Sequence, residues 1–446
     1  MWCRSTVLIV AASCVVLVAS GCSGEPEPDP VPELEVRTLA DLGPQHGAEA
    51  VVVDGKAVVT AGSSPDRTLW VYDIDSGEEL WAIDSFAVND VWVDGDKVVF
   101  TESIDDKNVV SVRDLASGDE TRQIELAPDS PAGQESRLAG AGSGTAFIVQ
   151  QVEDDVDERL EAVELESGDV RWRHNPEGRG DLRGVYSPEA VPQHGIAGDG
   201  GMATIHIAGD APIVQVADTK ELDGTWMLDV TTGEPMWSLS APGELTWQTW
   251  DLGGNLVASI PGERTDECGR TVSYSDLEAH RATDIDAYRS TYLDSDWGCG
   301  ENNGWSTPIT ADGIMAQDSE NHPQVTGWDG TPLWTADKTG EPITQGSGVA
   351  VYRQLPTDGR ALAVDMKTNK ELWSLDEFGN GLVPTLVGDS LIISHEGMKA
   401  VDLRDGTPQW YYPDGYLIAT DGRWALFDAG SDESTTLTVA RIDAVE

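Results

Sequence analysis

Short runs of alternating apolar and polar residues recur along the chain, each followed by a turn signal and a second, shorter run. Leu69-Trp70-Val71-Tyr72-Asp73 leads into Ile74-Asp75-Ser76-Gly77 and then into Glu78-Glu79-Leu80-Trp81. The alternation predicts a two-faced strand. Ser-Gly predicts a tight turn, because Gly accepts positive φ. The second strand ends on a Trp whose surface one hairpin cannot bury alone, so neighbouring units must stack to cover it. The unit returns at 160–172 with Glu164, Ser167, Gly168 and Trp172, at 227–237 with Asp229 and Trp237, at 362–373 with Asp365 and Trp373, and at 400–410 with Asp402 and Trp410. Weaker copies lie at 112–118, which lacks the Trp, and at 327–334, which ends on Trp334. A further strand precedes several of the copies, as in Ala57-Val58-Val59-Thr60, Lys97-Val98-Val99-Phe100 and Ser390-Leu391-Ile392-Ile393. Self-similarity at roughly 40–50 residues suits the four-stranded blade of a propeller.

The repeated Asp-x-x-(Thr/Ser)-Gly-x-x-x-Trp element resembles the pyrroloquinoline-quinone-like (PQQ-like) repeat from about residue 35 onward. The resemblance implies an all-β fold, a PQQ-like β-propeller, with an irregular β-sandwich as the competing fold. Anchors at 73, 114, 164, 229, 329, 365, 402 and 443 are eight in number, which predicts eight four-stranded blades, with seven and nine as alternatives. Ser275-Asp276 has neither the Gly turn nor the Trp and reads as part of an insertion. The copy beginning at Ile442-Asp443 has no outer strand of its own. Glu35-Val36-Arg37-Thr38 can supply it and so remove a free edge.

The first residues predict export. Arg4 is the only charge before Glu25, and residues 6–19 form an apolar run of the length of a signal h-region. Ala19-Ser20-Gly21-Cys22 resembles the lipobox of bacterial lipoproteins, which implies removal of 1–21 and lipidation of Cys22. An ordinary secretory signal is the alternative. Residues 22–34 alternate Pro with carboxylates and predict an extended tether, leaving 35–446 for the propeller. Five cysteines occur; two leave with the signal and Cys22 carries lipid, so Cys268 and Cys299 remain. In an oxidising compartment they read as one disulfide, with two buried thiols as the alternative. The chain has 79 Asp and Glu against 28 Lys and Arg, a net charge of −51. Such a field repels nucleic acid and anionic lipid and attracts cations or basic partners.

Strand order separates two faces. If the strands of a blade run from the axis outward, the first-to-second and third-to-fourth connections share one face, and these are tight turns. The long segments fall on the other face: 153–158, 175–200, and 261–306, which leaves a strand at 256–260 and holds both remaining cysteines. Binding sits most often on elaborated loops of a rigid scaffold. The candidate binding residues are Arg179, Arg183, Tyr186, Tyr292, Trp297 and Trp305, since Arg and aromatics anchor interfaces; packing of the loops themselves is the competing role.

The sequence offers no enzyme site. Quinoprotein alcohol dehydrogenases, which this repeat resembles, carry an adjacent-cysteine disulfide beside the cofactor, and no Cys-Cys pair occurs here. The expectation is therefore no cofactor and no catalytic residue. The seven His have no paired spacing, which predicts no metal site. Gly198-Asp199-Gly200-Gly201-Met202-Ala203 matches a dinucleotide fingerprint in spelling, but a strand pattern follows it where a helix is required. The function expected is a non-catalytic protein-binding scaffold of the cell envelope, anchored by lipid outside the cytoplasm, with envelope proteins as partners. In anchor and repeat type the chain resembles the propeller lipoproteins of outer-membrane assembly. The competing readings are a small-ligand-binding or sensor propeller and a divergent enzyme.

Overall fold

The computed structural model describes residues 32–443 apart from 44–47, 63–66, 84–88, 105–106, 128–135, 152–157, 175–194, 197–212, 218–224, 230, 240–247, 252–255, 262–268, 277–280, 289–308, 311–312, 319, 355–359, 376–384, 395–396 and 431–433. The chain divides into Met1–Val31 and Pro32–Glu446, and every described residue lies in the second unit.

Among the described residues every regular element is a β-strand. The strands fall into eight sheets, five of them with four strands. The first four-stranded sheet, Glu49–Val53, Lys56–Ala61, Thr68–Asp73 and Glu79–Ile83, sets the pattern. Each strand pairs antiparallel with the next in the chain. One sheet is longer: Gln248–Asp251, Leu256–Pro261, Gly269–Asp276 and Arg281–Tyr288 form one run, and Gly313–Gln317, Pro323–Thr326 and Pro332–Thr335 form another. The single pair Tyr288↔Gln317 joins the two runs. Strands on the axial side of successive sheets lie against each other, as Asn89–Asp94 does with Arg137–Gly142. The first sheet's Glu49–Val53 meets Tyr416–Thr420 of the last, so the succession closes as a β-propeller.

The core lies between sheets. Val58, Leu69 and Val71 pack with Val91, Val98 and Phe100 of the following sheet. Ala57, Val59 and Tyr72 pack with Leu426, Leu437 and Val439 of the preceding one. Consecutive residues thus serve opposite neighbours, which is why the second strand of each unit reads as nearly continuous apolar sequence. Each such Val or Leu side chain, fully buried, contributes about 1.5–3 kcal/mol.

Trp81, Trp334 and Trp373 of the outer strands reach across the seam. Trp81 Nε1 donates to the Leu115 carbonyl at 3.0 Å and Trp373 Nε1 to the Leu403 carbonyl at 2.9 Å, each in the turn of the next sheet. Trp334 Nε1 donates to Asn369 Oδ1 at 3.0 Å. The turn glycine is required by contact as well as by φ. A Cβ on Gly118 would lie 2.5 Å from Trp81 Cγ, one on Gly406 2.5 Å from Trp373 Cγ, and one on Gly233 2.6 Å from Trp172 Cδ2.

A bulge aims the Trp. In seven sheets the two strands joined by the repeat turn slip register at one place, leaving Leu80, Thr121, Arg171, Met236, Leu333, Leu372 and Gln409 as the extra residue. The next residue is a Trp, or Arg122 in the second sheet. Arg122 donates to the Glu166 carbonyl at 2.6 Å and packs on Gly168, taking the place of the missing Trp.

The N-terminal segment closes the ring. Arg37–Gly43 pairs with Thr435–Arg441 as the outermost strand of the last sheet, as expected from the missing outer strand. Pro32–Leu34, at the end of the expected tether, runs beside the preceding sheet: Leu34 N donates to the Tyr411 carbonyl at 2.8 Å and Tyr411 N to the Pro32 carbonyl at 3.0 Å. The Arg37 guanidinium donates to the Ile74 and Asp75 carbonyls and packs on Gly77, again in the slot of a Trp. The first twelve described residues therefore touch three sheets.

One expectation changes. Residues 261–306 read as an insertion, yet Gly269–Asp276 and Arg281–Tyr288 are paired strands that complete the sheet begun at Gln248. Arg270-Thr271-Val272-Ser273-Tyr274 does alternate. Without Gly and Trp the repeat signature fails while the strand pattern remains.

Gly118 and Gly144 have nearly the same backbone, with φ of 72° and 71°, but a Cβ at Gly144 meets nothing within 4 Å. Gly144→Ala should therefore cost only the left-handed strain, about 1–2 kcal/mol. Gly118→Ala should cost about 1–3 kcal/mol more, because Trp81 must move. Urea unfolding of the two variants checks this; equal losses would mean that Trp81 does not hold its seam.

Candidate functional site

The turn face is built from two kinds of hairpin. First-to-second connections such as Asp54-Gly55, Ser143-Gly144 and Ser347-Gly348 have positive φ at both residues. This is the type I′ geometry that matches strand twist. Third-to-fourth connections are held by the repeat carboxylate. Asp73 Oδ1 accepts from Ser76 N at 2.8 Å and Ser76 Oγ at 2.9 Å. Asp365 Oδ1 accepts from Thr368 N at 2.7 Å and Thr368 Oγ1 at 2.8 Å. In the third sheet Glu164 takes the role and is bound by Ser167 Oγ at 2.8 Å and Arg171 at 2.7 Å. These hydrogen bonds favour the ionised form. The Thr368 hydroxyl and amide hold Asp365 below the ordinary carboxylate range, as the Ser76 amide and hydroxyl do for Asp73 and the Thr331 hydroxyl and amide for Asp329.

On this face, at the rim, a groove of about 600 Å³ opens between the outer strands Pro332–Thr335 and Lys370–Leu375. Two bulge residues, Leu333 and Leu372, line it with Val349, Met366 and Lys367, and Arg404 enters from the turn of the next sheet. Leu333 is 54% exposed and Leu372 40%. Among the described residues the other exposed large apolar side chains are Val36 and Tyr416, so half of that set meets in this groove. Arg404 is paired with Asp389 at 3.4 Å.

The opposite face carries satisfied ion pairs at its strand ends. Arg67, nearly buried, pairs with Glu49. Arg353 lies 3.4 Å from Glu341, and buried Glu161 is held by Arg159 and Arg173, each at 2.7 Å. Such pairs lock strand ends and leave their own charges occupied.

The sequence-derived site residues Cys22, Arg179, Arg183, Tyr186, Cys268, Tyr292, Trp297, Cys299 and Trp305 lie outside the described residues. Of 175–200 only Gly195–Ile196 is described. It pairs antiparallel with Trp92 and Val91 on the inner edge of Asn89–Asp94, on the axial side of that sheet. The groove was missed because Leu333 and Leu372 sit directly before a Trp, where alternation assigns one residue to each face; only the bulge turns both outward. Among the described residues no group of three or more His, Cys, Asp or Glu is placed to hold a metal ion, and no helix is long and apolar enough to cross a membrane.

Residues 35–192 match the family model described as outer membrane protein assembly factor BamB. No curated protein matches the chain. Among solved structures the chain is similar to BamB from Moraxella catarrhalis, with 12% identity, a TM-score of 0.45, and coverage of 91% of this chain and 97% of that one. It is also similar to the computationally designed protein Ika8, with 13% identity, a TM-score of 0.44 and coverage of 92% and 99%. A europium-containing methanol dehydrogenase gives 13% identity, a TM-score of 0.43 and coverage of 90% and 84%. The fold is a PQQ-like β-propeller.

A depressed carboxylate contributes stability above its unfolded pKa of about 3.9, and that contribution is lost as pH falls through the lower folded value. Asp365→Ala should therefore unfold at lower urea than the parent at pH 7, and the gap should narrow at pH 3, below the unfolded pKa. Urea midpoints at the two pH values check this. A gap of equal size at both would show that the ionised form adds nothing to the turn.

Proposed function

We propose that this protein is an exported, lipid-anchored and non-catalytic scaffold that holds envelope proteins on a rigid propeller. The observation that carries the reading is the match of residues 35–192 to a family described as an outer-membrane assembly factor. The described framework suits a platform. Trp or Arg docks at seam after seam, and the N-terminal segment closes the ring on three sheets, so loops are displayed on a support that does not deform. In this reading Cys22 carries the lipid and Ser23 to Val31 span the gap to Pro32. The segments 175–200, 262–268 and 289–306, the last two flanking the strands Gly269–Asp276 and Arg281–Tyr288, contact a partner on the face opposite the tight turns, with Arg179, Arg183, Tyr186, Tyr292, Trp297 and Trp305 as its anchors and a Cys268–Cys299 bond joining the last two.

Two measurements test this. Cys22→Ser should move the protein from the membrane fraction to the soluble one. Crosslinking in intact cells should recover the same one or two envelope proteins in near-stoichiometric yield, and trimming 175–200 should abolish the recovery while the β-sheet circular dichroism is retained. Recovery of no protein would overturn the scaffold reading and direct attention to a small ligand.

A further inference from the structure

We propose that the rim groove between Pro332–Thr335 and Lys370–Leu375 is a second docking surface, and that it takes an extended segment of a partner protein with apolar and basic residues in alternation. The inference rests on the scaffold reading only in requiring a protein partner. It concerns the turn face, away from the loops. The bulge that aims each Trp also turns one side chain outward per sheet. At most rims that residue is polar or half-covered: Thr121, Arg171, Gln409 and Leu80. Only at Leu333 and Leu372, among the described bulge positions, is it a leucine more than a third exposed, and these two are on neighbouring sheets with Val349 and Met366 between them. Exposed edge strands are ordinarily guarded by charge or Pro; here Lys370 and Glu371 on one edge and Pro332 on the other flank the leucines, and the bulge residues themselves are apolar in a chain of net charge −51.

The same charge selects the occupant. Any partner approaches through an anionic field, which speeds a basic segment and slows an acidic one. Asp365, Lys367 and Arg404 line the groove; Lys367 interacts with Asp365 and Arg404 is paired with Asp389, so the preference for a basic segment comes from the field of the whole chain. An extended segment fits because the two leucines sit on successive rims, in a shallow trough along which side chains on one side of a strand point inward together.

The test uses the full chain and two short synthetic peptides, one alternating lysine with leucine and one alternating lysine with serine. At 0.15 M salt, where exposed charges are screened beyond about 8 Å, the leucine peptide should bind the parent at least about tenfold tighter than the serine peptide. The double variant Leu333→Ser, Leu372→Ser should bind the two peptides equally. Both positions are exposed, so the variant keeps the parent's melting temperature. Equal binding of the peptides by the parent, or discrimination that survives in the double variant, would sink the proposal. So would a parent dimer in sedimentation that the double variant loses, because the occupant would then be a second copy. If peptide discrimination fails while envelope proteins still crosslink, the scaffold reading stands and the groove alone is discarded; loss of both defeats both.

Discussion

Every outer strand with a docking Trp carries one residue more than its partner strand can pair, and that residue lies immediately before the Trp. Without the bulge the Trp would point by simple alternation. With it, the indole leans into the next sheet; Trp81 and Trp373 donate to a backbone carbonyl of its turn and cover its glycine, and Trp334 donates to Asn369 in the same place. The glycine then has two reasons to lack a side chain, positive φ and the indole above it. The carboxylate that opens the turn holds the loop in the shape that presents that carbonyl. Bulge, Trp, carboxylate and glycine act as one unit shared between neighbouring sheets, so no sheet is complete alone. This is the physical content of the repeat: each unit buries its largest side chain only on the unit that follows.

A ring built this way has one seam that the repeat cannot supply in sequence order. The last sheet needs an outer strand, and the chain has to bring it from its other end. Arg37–Gly43 does so with a modest apolar contribution, since Leu39 is its one buried apolar side chain. Its hold comes from elsewhere: backbone pairing with Thr435–Arg441, the bonds of Pro32 and Leu34 to Tyr411 just upstream, and the Arg37 guanidinium on two carbonyls of the first sheet. Arg replaces Trp at this seam and at the one bridged by Arg122. A guanidinium reaches carbonyls of the same turn with a planar donor while covering less apolar surface. This seam keeps an apolar core of Val59, Tyr72, Leu426 and Leu437 beneath its polar dock, and the segment that closes it is also the one continuous with residues upstream of Pro32.

Much of this was legible because the docking unit leaves a fixed spelling. Asp, Thr or Ser, Gly and Trp recur at constant offsets, and the offsets carry the fold, the turn chemistry and the missing outer strand. The bulge was not legible, because it changes no residue type; it appears only when strands are paired and counted. For the same reason Leu333 and Leu372 read as ordinary strand residues. Gly269–Asp276 and Arg281–Tyr288 were hidden in the opposite way. They have the alternation of strands but not the Gly and Trp of the docking unit, and a search led by that spelling passed over them. The loop residues singled out for binding were chosen by residue type alone, and their positions fall outside the described part of the chain.

The acidic composition now has a structural place, though not a single one. Part of it is architectural: Asp73, Asp114, Asp229, Asp329, Asp365 and Asp402 accept turn hydrogen bonds and are needed as acceptors wherever the unit repeats. Others are consumed in ion pairs, such as Glu49 with Arg67 and Glu161 with its two arginines. With 79 acidic residues against 28 basic ones, most carboxylates have no cation to meet and act through the field. A propeller exposes an outer edge at nearly every sheet, and a strong uniform charge keeps such edges from pairing between copies. The field does this at long range and without regard to sequence, so it protects even a rim whose bulge residue is leucine. That arrangement lets an apolar groove persist on a rim without promoting self-association, while leaving it open to a partner of opposite charge.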